Sequence, residues 1–162
     1  AGMRNGWLLT NVTGLDISNI AVKEFTNGFR LDGASNNVLT ACTAFSNVYA
    51  GFYLVGQNTR SNTLLSCVGR GPRQRAGLVL TNTRRNAVNG RFYGNTNGVR
   101  VLANTVSNLV YSCRVYSNLL EGIRVEGPAA RTNTLRSNLV SGAGQATGIR
   151  LTNATSTCSA RQ

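Results

Sequence analysis

The sequence predicts an all-β chain folded as a right-handed parallel β-helix (a β-solenoid) of about seven coils, with about 21–26 residues per coil. Three observations predict it: a recurring glycine-led tetrad, an asparagine that follows each tetrad, and the composition. Aliphatic, aromatic, methionine and cysteine residues make up 41% of the 162 residues, charged residues only 14%, and there are two prolines. The polar character therefore comes from Asn, Thr, Ser and Gly, which suits many short strands and turns.

The tetrad consists of glycine followed by an apolar residue, a variable residue and a second apolar residue. It recurs at intervals of 23, 26, 21, 24 and 26 residues, too short for two-helix repeats and typical of a solenoid coil. The alternation predicts a strand with one buried face. The residues expected to line the core are Phe29, Leu31, Phe52, Leu54, Leu78, Leu80, Val99, Val101, Ile123, Val125, Ile149 and Leu151.

An asparagine follows each of the first five tetrads by about ten residues and opens a new apolar stretch. Asparagine tolerates left-handed backbone and bonds its own turn, so it suits a corner between strands. When such turns stack, the amides can bond one another along the axis. We therefore expect an asparagine ladder, formed by Asn37, Asn62, Asn86, Asn108 and Asn133.

A second column is expected five residues beyond these asparagines. Its members are Cys42, Cys67, Arg91, Cys113 and Asn138. Free thiols there would fill a corner as small hydrophobes. Because neighbouring coils are ~4.8 Å apart, a disulfide between Cys42 and Cys67 is the alternative, whereas Cys113 lies two coils from Cys67. With no histidine and no CxxC motif in the chain, we expect no metal site.

The coils are expected to occupy residues 1–152, and residues 153–162 to form a C-terminal tail or cap, tethered by Cys158. Residues 3–9 resemble a coil already in progress, which suggests a fragment, a processed product or a subunit docked end to end with another. The register of residues 7–22 is less regular because Asp16 falls near an expected apolar position. No apolar run approaches the ~20 residues of a membrane span.

On its tetrads and on turns such as Asn133-Thr134-Leu135, the chain resembles the right-handed parallel β-helix repeat proteins. This broad family includes pectate-lyase-like enzymes, phage tailspikes and NosD-like periplasmic proteins, and the resemblance covers roughly residues 3–152. It implies three strands per coil, an elongated shape and, commonly, a role in handling polysaccharide or in adhesion. The implied location is extracellular, periplasmic or on a virion surface. The motifs define architecture and say little about chemistry.

Catalysis would require acidic residues placed together, and the chain has five. Asp32 and Glu126 face outward on the same expected sheet but four coils apart, or ~19 Å, beyond the ~5–9.5 Å of paired glycosidase carboxylates. Asp16 and Glu24 could meet only if the first coil allowed it, and Glu121 has no evident partner. Without histidine, nucleophilic catalysis also lacks its parts. We expect no catalytic residues, no cofactor and no enzyme activity.

The net charge of +12 comes almost entirely from arginine and predicts an anionic partner or an acidic neighbour in an assembly. Arg30, Arg100, Arg124 and Arg150 share the third tetrad position in a column interrupted by Tyr53 and Val79. Asp32 and Glu126 offer partial compensation; otherwise the arginine stems could simply cover apolar sheet. Further arginines are expected at the following corner (Arg60, Arg84, Arg85 and Arg131) and in a projecting loop (Arg70, Arg73 and Arg75).

The leading hypothesis is a non-catalytic structural or adhesive module that presents its arginines to an acidic polysaccharide or an acidic protein surface. One alternative is an assembly subunit of a fibre, capsid or appendage. Another is a fragment of a polysaccharide lyase, hydrolase or epimerase. Nucleic acid is a weaker candidate because the exposed aromatics Tyr53, Tyr111 and Tyr116 form no recognisable stacking platform.

Overall fold

The computed structural model describes residues 4–154, which form seventeen β-strands and no helix. Seven strands, one per turn, stack in chain order into a parallel front sheet. Six complete turns lie between its first and last strands, so the predicted parallel β-helix is confirmed and the expected seven coils are close. The front strands are β1 (Asn5–Thr10), β4 (Asn27–Asp32), β7 (Ala50–Val55), β9 (Ala76–Thr81), β11 (Asn97–Val101), β14 (Glu121–Glu126) and β17 (Thr147–Thr152).

The other strands form a ten-stranded back sheet with two rows. In two turns one long strand crosses both rows, β8 (Thr63–Arg70) and β10 (Ala87–Tyr93). The first row also contains β2 (Asp16–Ser18), β5 (Val38–Thr40), β12 (Leu109–Tyr111) and β15 (Thr134–Arg136). The second row also contains β3 (Ala21–Lys23), β6 (Thr43–Phe45), β13 (Arg114–Tyr116) and β16 (Leu139–Ser141). No helix among these residues could cross a membrane.

The core lies between the sheets and is built from stacked side chains of the same position in successive turns. Ten of the twelve core residues expected from the tetrads are fully buried, and the Phe29 and Phe52 rings stack with centroids 5.1 Å apart. Ile149 and Leu151 differ, at 46% and 51% exposed. Both belong to β17, against whose far side no turn of the described chain packs.

The tetrad glycine is explained by how closely successive turns approach. A β-carbon built on any of the six glycines from Gly6 to Gly122 at this position would lie 2.5–2.8 Å from the carbonyl oxygen of the next such glycine. Real β-carbons do not approach backbone oxygen so closely. Glycine therefore recurs because the stacked backbone leaves no room for a side chain.

The first turn is regular, contrary to the expectation that Asp16 disturbs its register. Asp16 pairs with Val38 and is exposed, whereas the next residue, Ile17, pairs with Leu39 and is buried. The aspartate therefore occupies the outward position of a normal alternating strand.

Candidate functional site

One corner of the solenoid is held by the asparagines singled out in the sequence. The Asn62 side-chain nitrogen donates to Asn86 Oδ1 at 2.9 Å, and that of Asn86 donates to Asn108 Oδ1 at 3.0 Å. Each asparagine is buried and preceded by a residue of positive φ. We call this column the first ladder, formed by Asn37, Asn62, Asn86, Asn108 and Asn133.

A second ladder, at the corner before the front sheet, was not expected. It is formed by Asn47, Gln74, Asn95, Asn118 and Gln145. Gln74 donates to Asn95 Oδ1 at 2.8 Å and is fully buried. Its sequence signal was an amide residue three or four positions before a tetrad glycine. The two ladders fix the register of successive turns and thereby place the outward side chains in columns.

The prediction that Arg70, Arg73 and Arg75 lie in a projecting loop is wrong. Gln74 lies within this segment and is buried as a member of the second ladder. Arg70 ends strand β8, and its guanidinium lies 5.2 Å from the centre of the Phe45 ring. Arg73 and Arg75 are exposed on either side of the buried Gln74. The three loop arginines therefore lie along the wall of the solenoid.

The cysteine column contains Gly90 in place of the expected Arg91, because strand β10 is irregular between Val88 and Gly90. Cys42, Cys67 and Cys113 are buried free thiols, so the structure contains no bridge between Cys42 and Cys67. A hydrogen bond to Cys42 and burial both raise the pKa of Cys67. Burial raises the pKa of Cys113 to about 12. Cys158 lies outside the described residues, as does most of the expected cap.

The front arginine column has the expected order. Arg30 aligns with Tyr53, which aligns with Val79, and Arg100, Arg124 and Arg150 follow on consecutive turns. Each of its four arginines has a carboxylate partner, and Arg30 meets Asp32 at 2.7 Å. Like charges in register are thus compensated inside the column.

Two glutamates join the last three arginines into one network. Glu126 contacts Arg100 at 3.3 Å and also Arg124, while Glu121 contacts Arg124 at 3.4 Å and Arg150 at 3.3 Å. The hydrogen bond that Arg124 donates to the Glu126 carboxylate is the main cause that raises the pKa of Arg124. The role of Glu121, whose side chain is only 6% exposed, was not expected from the sequence. The network leaves little free charge on this column.

The corner arginines form a second column with different surroundings. Arg60 pairs with Arg84 on the next turn, Arg84 with Val106, and Val106 with Arg131. All three arginines are exposed, as is Arg85 beside them. Within residues 4–154 none of these four forms an ion pair with a carboxylate. We call them the corner arginines.

Two outward-facing tyrosines stack on each other, although the sequence suggested no stacking platform. Tyr93 and Tyr116 stack with ring centroids 4.7 Å apart on the outer face of the back sheet. Tyr53 lies against the Arg30 guanidinium, 5.6 Å from it. Tyr111 aligns with Arg136 on the next turn.

These features define a parallel β-helix repeat protein held by amide ladders and covered with ordered arginines. A family model described as periplasmic copper-binding protein (NosD) matches residues 2–159, and the chain belongs to this family. No curated protein matches the chain. The family's periplasmic description agrees with the expected location outside the cytoplasm and gives no support to a virion surface.

The copper in the family's description can be tested against the side chains. Copper binds cysteine, methionine and histidine, and this chain has no histidine and one methionine, Met3, outside the described residues. The described cysteines are buried in the core, and no group of three or more His, Cys, Asp or Glu lies together in residues 4–154. The residues that the structure describes do not fit a copper site.

Proposed function

We propose that this chain is a non-catalytic β-helix module that holds an acidic polysaccharide along the corner arginines. The observation that carries the proposal is the register of Arg60 with Arg84, both exposed and without a carboxylate partner among the described residues. Adjacent guanidiniums repel unless an anion lies between them, and each can bind a carboxylate or sulfate with two parallel hydrogen bonds.

The geometry favours a polymer with regularly spaced anions. The corner arginines follow the solenoid axis with turns ~4.8 Å apart, interrupted once by Val106. Rigid turns held by the first ladder keep these positions fixed, so a bound chain would lose little affinity to ordering of the protein. The front arginines should contribute less to binding, because Glu121 and Glu126 already form ion pairs with three of them.

The test compares two triple variants that remove the same charge. Arg60, Arg84 and Arg131 are changed to Gln in one protein, and Arg70, Arg73 and Arg75 in the other. We expect the corner triple to bind polygalacturonate at least about tenfold more weakly, by calorimetry at fixed ionic strength, and the loop triple to bind much as the parent. Equal losses in both triples would show that net charge alone is responsible and would overturn the proposal.

A gain-of-function variant sharpens the test. Val106→Arg would fill the gap between Arg84 and Arg131, and we expect tighter binding to polygalacturonate and unchanged indifference to neutral dextran. Binding of an acidic protein but of no acidic polysaccharide would point to the other partner class and contradict the glycan proposal.

A further inference from the structure

A second unpaired arginine pair lies on the outer face of the back sheet, away from the corner arginines. Arg91 on β10 and Arg114 on β13 are directly opposite in parallel register, and both are exposed. Neither forms an ion pair within residues 4–154. Like charges placed directly opposite each other destabilise a sheet, which makes an uncompensated pair worth explaining.

The two arginines border a shallow surface pocket that spans three consecutive turns. Its lining consists of Ser66, Asn89, Gly90, Arg91, Ser112 and Arg114. It contains hydroxyl, amide and guanidinium groups and no carboxylate. The lining is therefore strongly electropositive and rich in hydrogen-bond donors.

Asn89 connects the backbones of the two pocket serines by hydrogen bonds. Its Oδ1 accepts from the Ser66 backbone N–H at 3.2 Å, and its side-chain nitrogen donates to the Ser112 carbonyl at 3.1 Å. Ser66 and Ser112 both have positive φ, at 53° and 48°, so these corners are held in a fixed and uncommon conformation. The serines therefore keep their positions relative to the arginines without a ligand.

We propose that this pocket binds a tetrahedral oxoanion, a sulfate or a phosphate group. Two arginines and two serines from different turns line it, and side chains of these types suit an anion with three or four acceptor oxygens better than a two-oxygen carboxylate. An anion there would also relieve the repulsion between Arg91 and Arg114. The site is independent of the corner arginines and stands or falls separately from the polysaccharide proposal.

The oxoanion could be a free ion or a substituent on a sugar. Tyr93 and Tyr116 lie two residues beyond Arg91 and Arg114 on the same strands and the same face, and their rings stack. Apolar ring edges beside the anion offer a surface for the organic part of an ester. Comparison of inorganic phosphate with glucose 6-phosphate separates the two sources, and saturable binding of either supports the pocket.

The test is calorimetric titration of the full chain and its variants with inorganic sulfate, inorganic phosphate and acetate at constant ionic strength. We expect sulfate and phosphate to bind more tightly than acetate, and Arg91→Gln and Arg114→Gln each to weaken binding at least about tenfold. Arg73→Gln, which removes the same charge from an exposed position outside both arginine surfaces, should leave the affinity unchanged. Without anion, Arg91→Gln should unfold at the same temperature as the parent or higher.

Three results would overturn the proposal. They are the absence of saturable binding of sulfate, phosphate and glucose 6-phosphate alike, equal affinity in Arg91→Gln and the parent, and acetate binding as tight as that of sulfate. Because Arg91→Gln is checked by its own unfolding temperature, a loss of binding cannot be attributed to a loss of fold.

Discussion

Replacement of Gly98 by alanine isolates the close approach between successive turns of the solenoid. A β-carbon at this position would lie 2.5 Å from the Gly122 carbonyl oxygen and 2.9 Å from Asn118 Nδ2, and would also overlap Val115 Cγ1. One of these three neighbours is backbone, another is a member of the second ladder, and the third is a fully buried core side chain. None can move without disturbing the stack.

The cost follows from the size of the overlap. Carbon atoms prefer separations of ~3.5–4.0 Å, so the new methyl group is about 1 Å too close to its neighbours. Moving two strands apart by that amount would stretch hydrogen bonds of ~2.9 Å beyond their useful range. Overpacking costs ~1–3 kcal/mol in ordinary cores, and we expect about 3 kcal/mol or more of lost unfolding free energy here because backbone must move.

Gly148 provides the matched control, since it has the same tetrad position in β17. Among the described residues its built β-carbon meets only Val140 Cγ1, at an ordinary 3.8 Å. Gly148→Ala should therefore leave the unfolding free energy unchanged or raise it by up to ~1 kcal/mol, because alanine restricts the unfolded chain. Urea titration followed by circular dichroism measures both variants. A difference between them of less than ~1 kcal/mol would refute the steric explanation of the tetrad glycine.

Three other predictions concern the ladders, the charge network and the thiols. Asn86→Ala removes four buried hydrogen bonds and should cost ~3–5 kcal/mol in urea titration, against less than ~0.5 for the exposed Asn58→Ala; similar costs would contradict a supporting ladder. Glu121→Gln removes a buried carboxylate, leaves Arg150 without its partner and leaves Arg124 with Glu126 alone, and should cost ~1–2 kcal/mol, so an unchanged or higher unfolding free energy would count against the network. Burial raises the pKa of Cys113 to about 12, so this thiol should be alkylated at pH 8 only after unfolding. Rapid labelling of Cys113 in the folded protein, detected by mass spectrometry, would disprove its burial.

Much of the fold follows from the sequence because stacking makes each requirement local and repeated. The tetrad glycine, the alternating apolar pair and the first-ladder asparagine recur in nearly every turn, so their spacing reveals the strands and one corner. The second ladder escaped notice because Gln74 and Gln145 take asparagine positions at variable distances before the glycine. At these two positions the longer glutamine side chain compensates for an altered turn. A pattern of identical residues does not reveal such a substitution.

The arginine surfaces were only partly predictable, for two physical reasons. Counting from the asparagines placed Arg91 in the cysteine column, whereas the irregularity in β10 turns it outward opposite Arg114. Glu121 precedes its tetrad glycine at a position occupied elsewhere by alanine, asparagine or threonine. Its ion pair with Arg150 joins neighbouring turns, and the sequence spacing gave no sign of it. Both contacts depend on how turns align rather than on spacing along the chain.

The arginines fall into two groups, those that have a carboxylate nearby and those that have none among the described residues. A solenoid stacks equivalent positions ~4.8 Å apart, so arginines that recur at one position lie next to each other. Within the protein, only a carboxylate in a nearby column can neutralise such a pair. The front sheet has such carboxylates at Asp32, Glu121 and Glu126, and its arginines are paired within the fold. The corner column and the back-sheet pocket have none among the described residues, so the external anion that we propose for each surface should stabilise the fold when it binds. Ligand binding and fold stability should therefore be coupled on those two surfaces and independent on the front sheet.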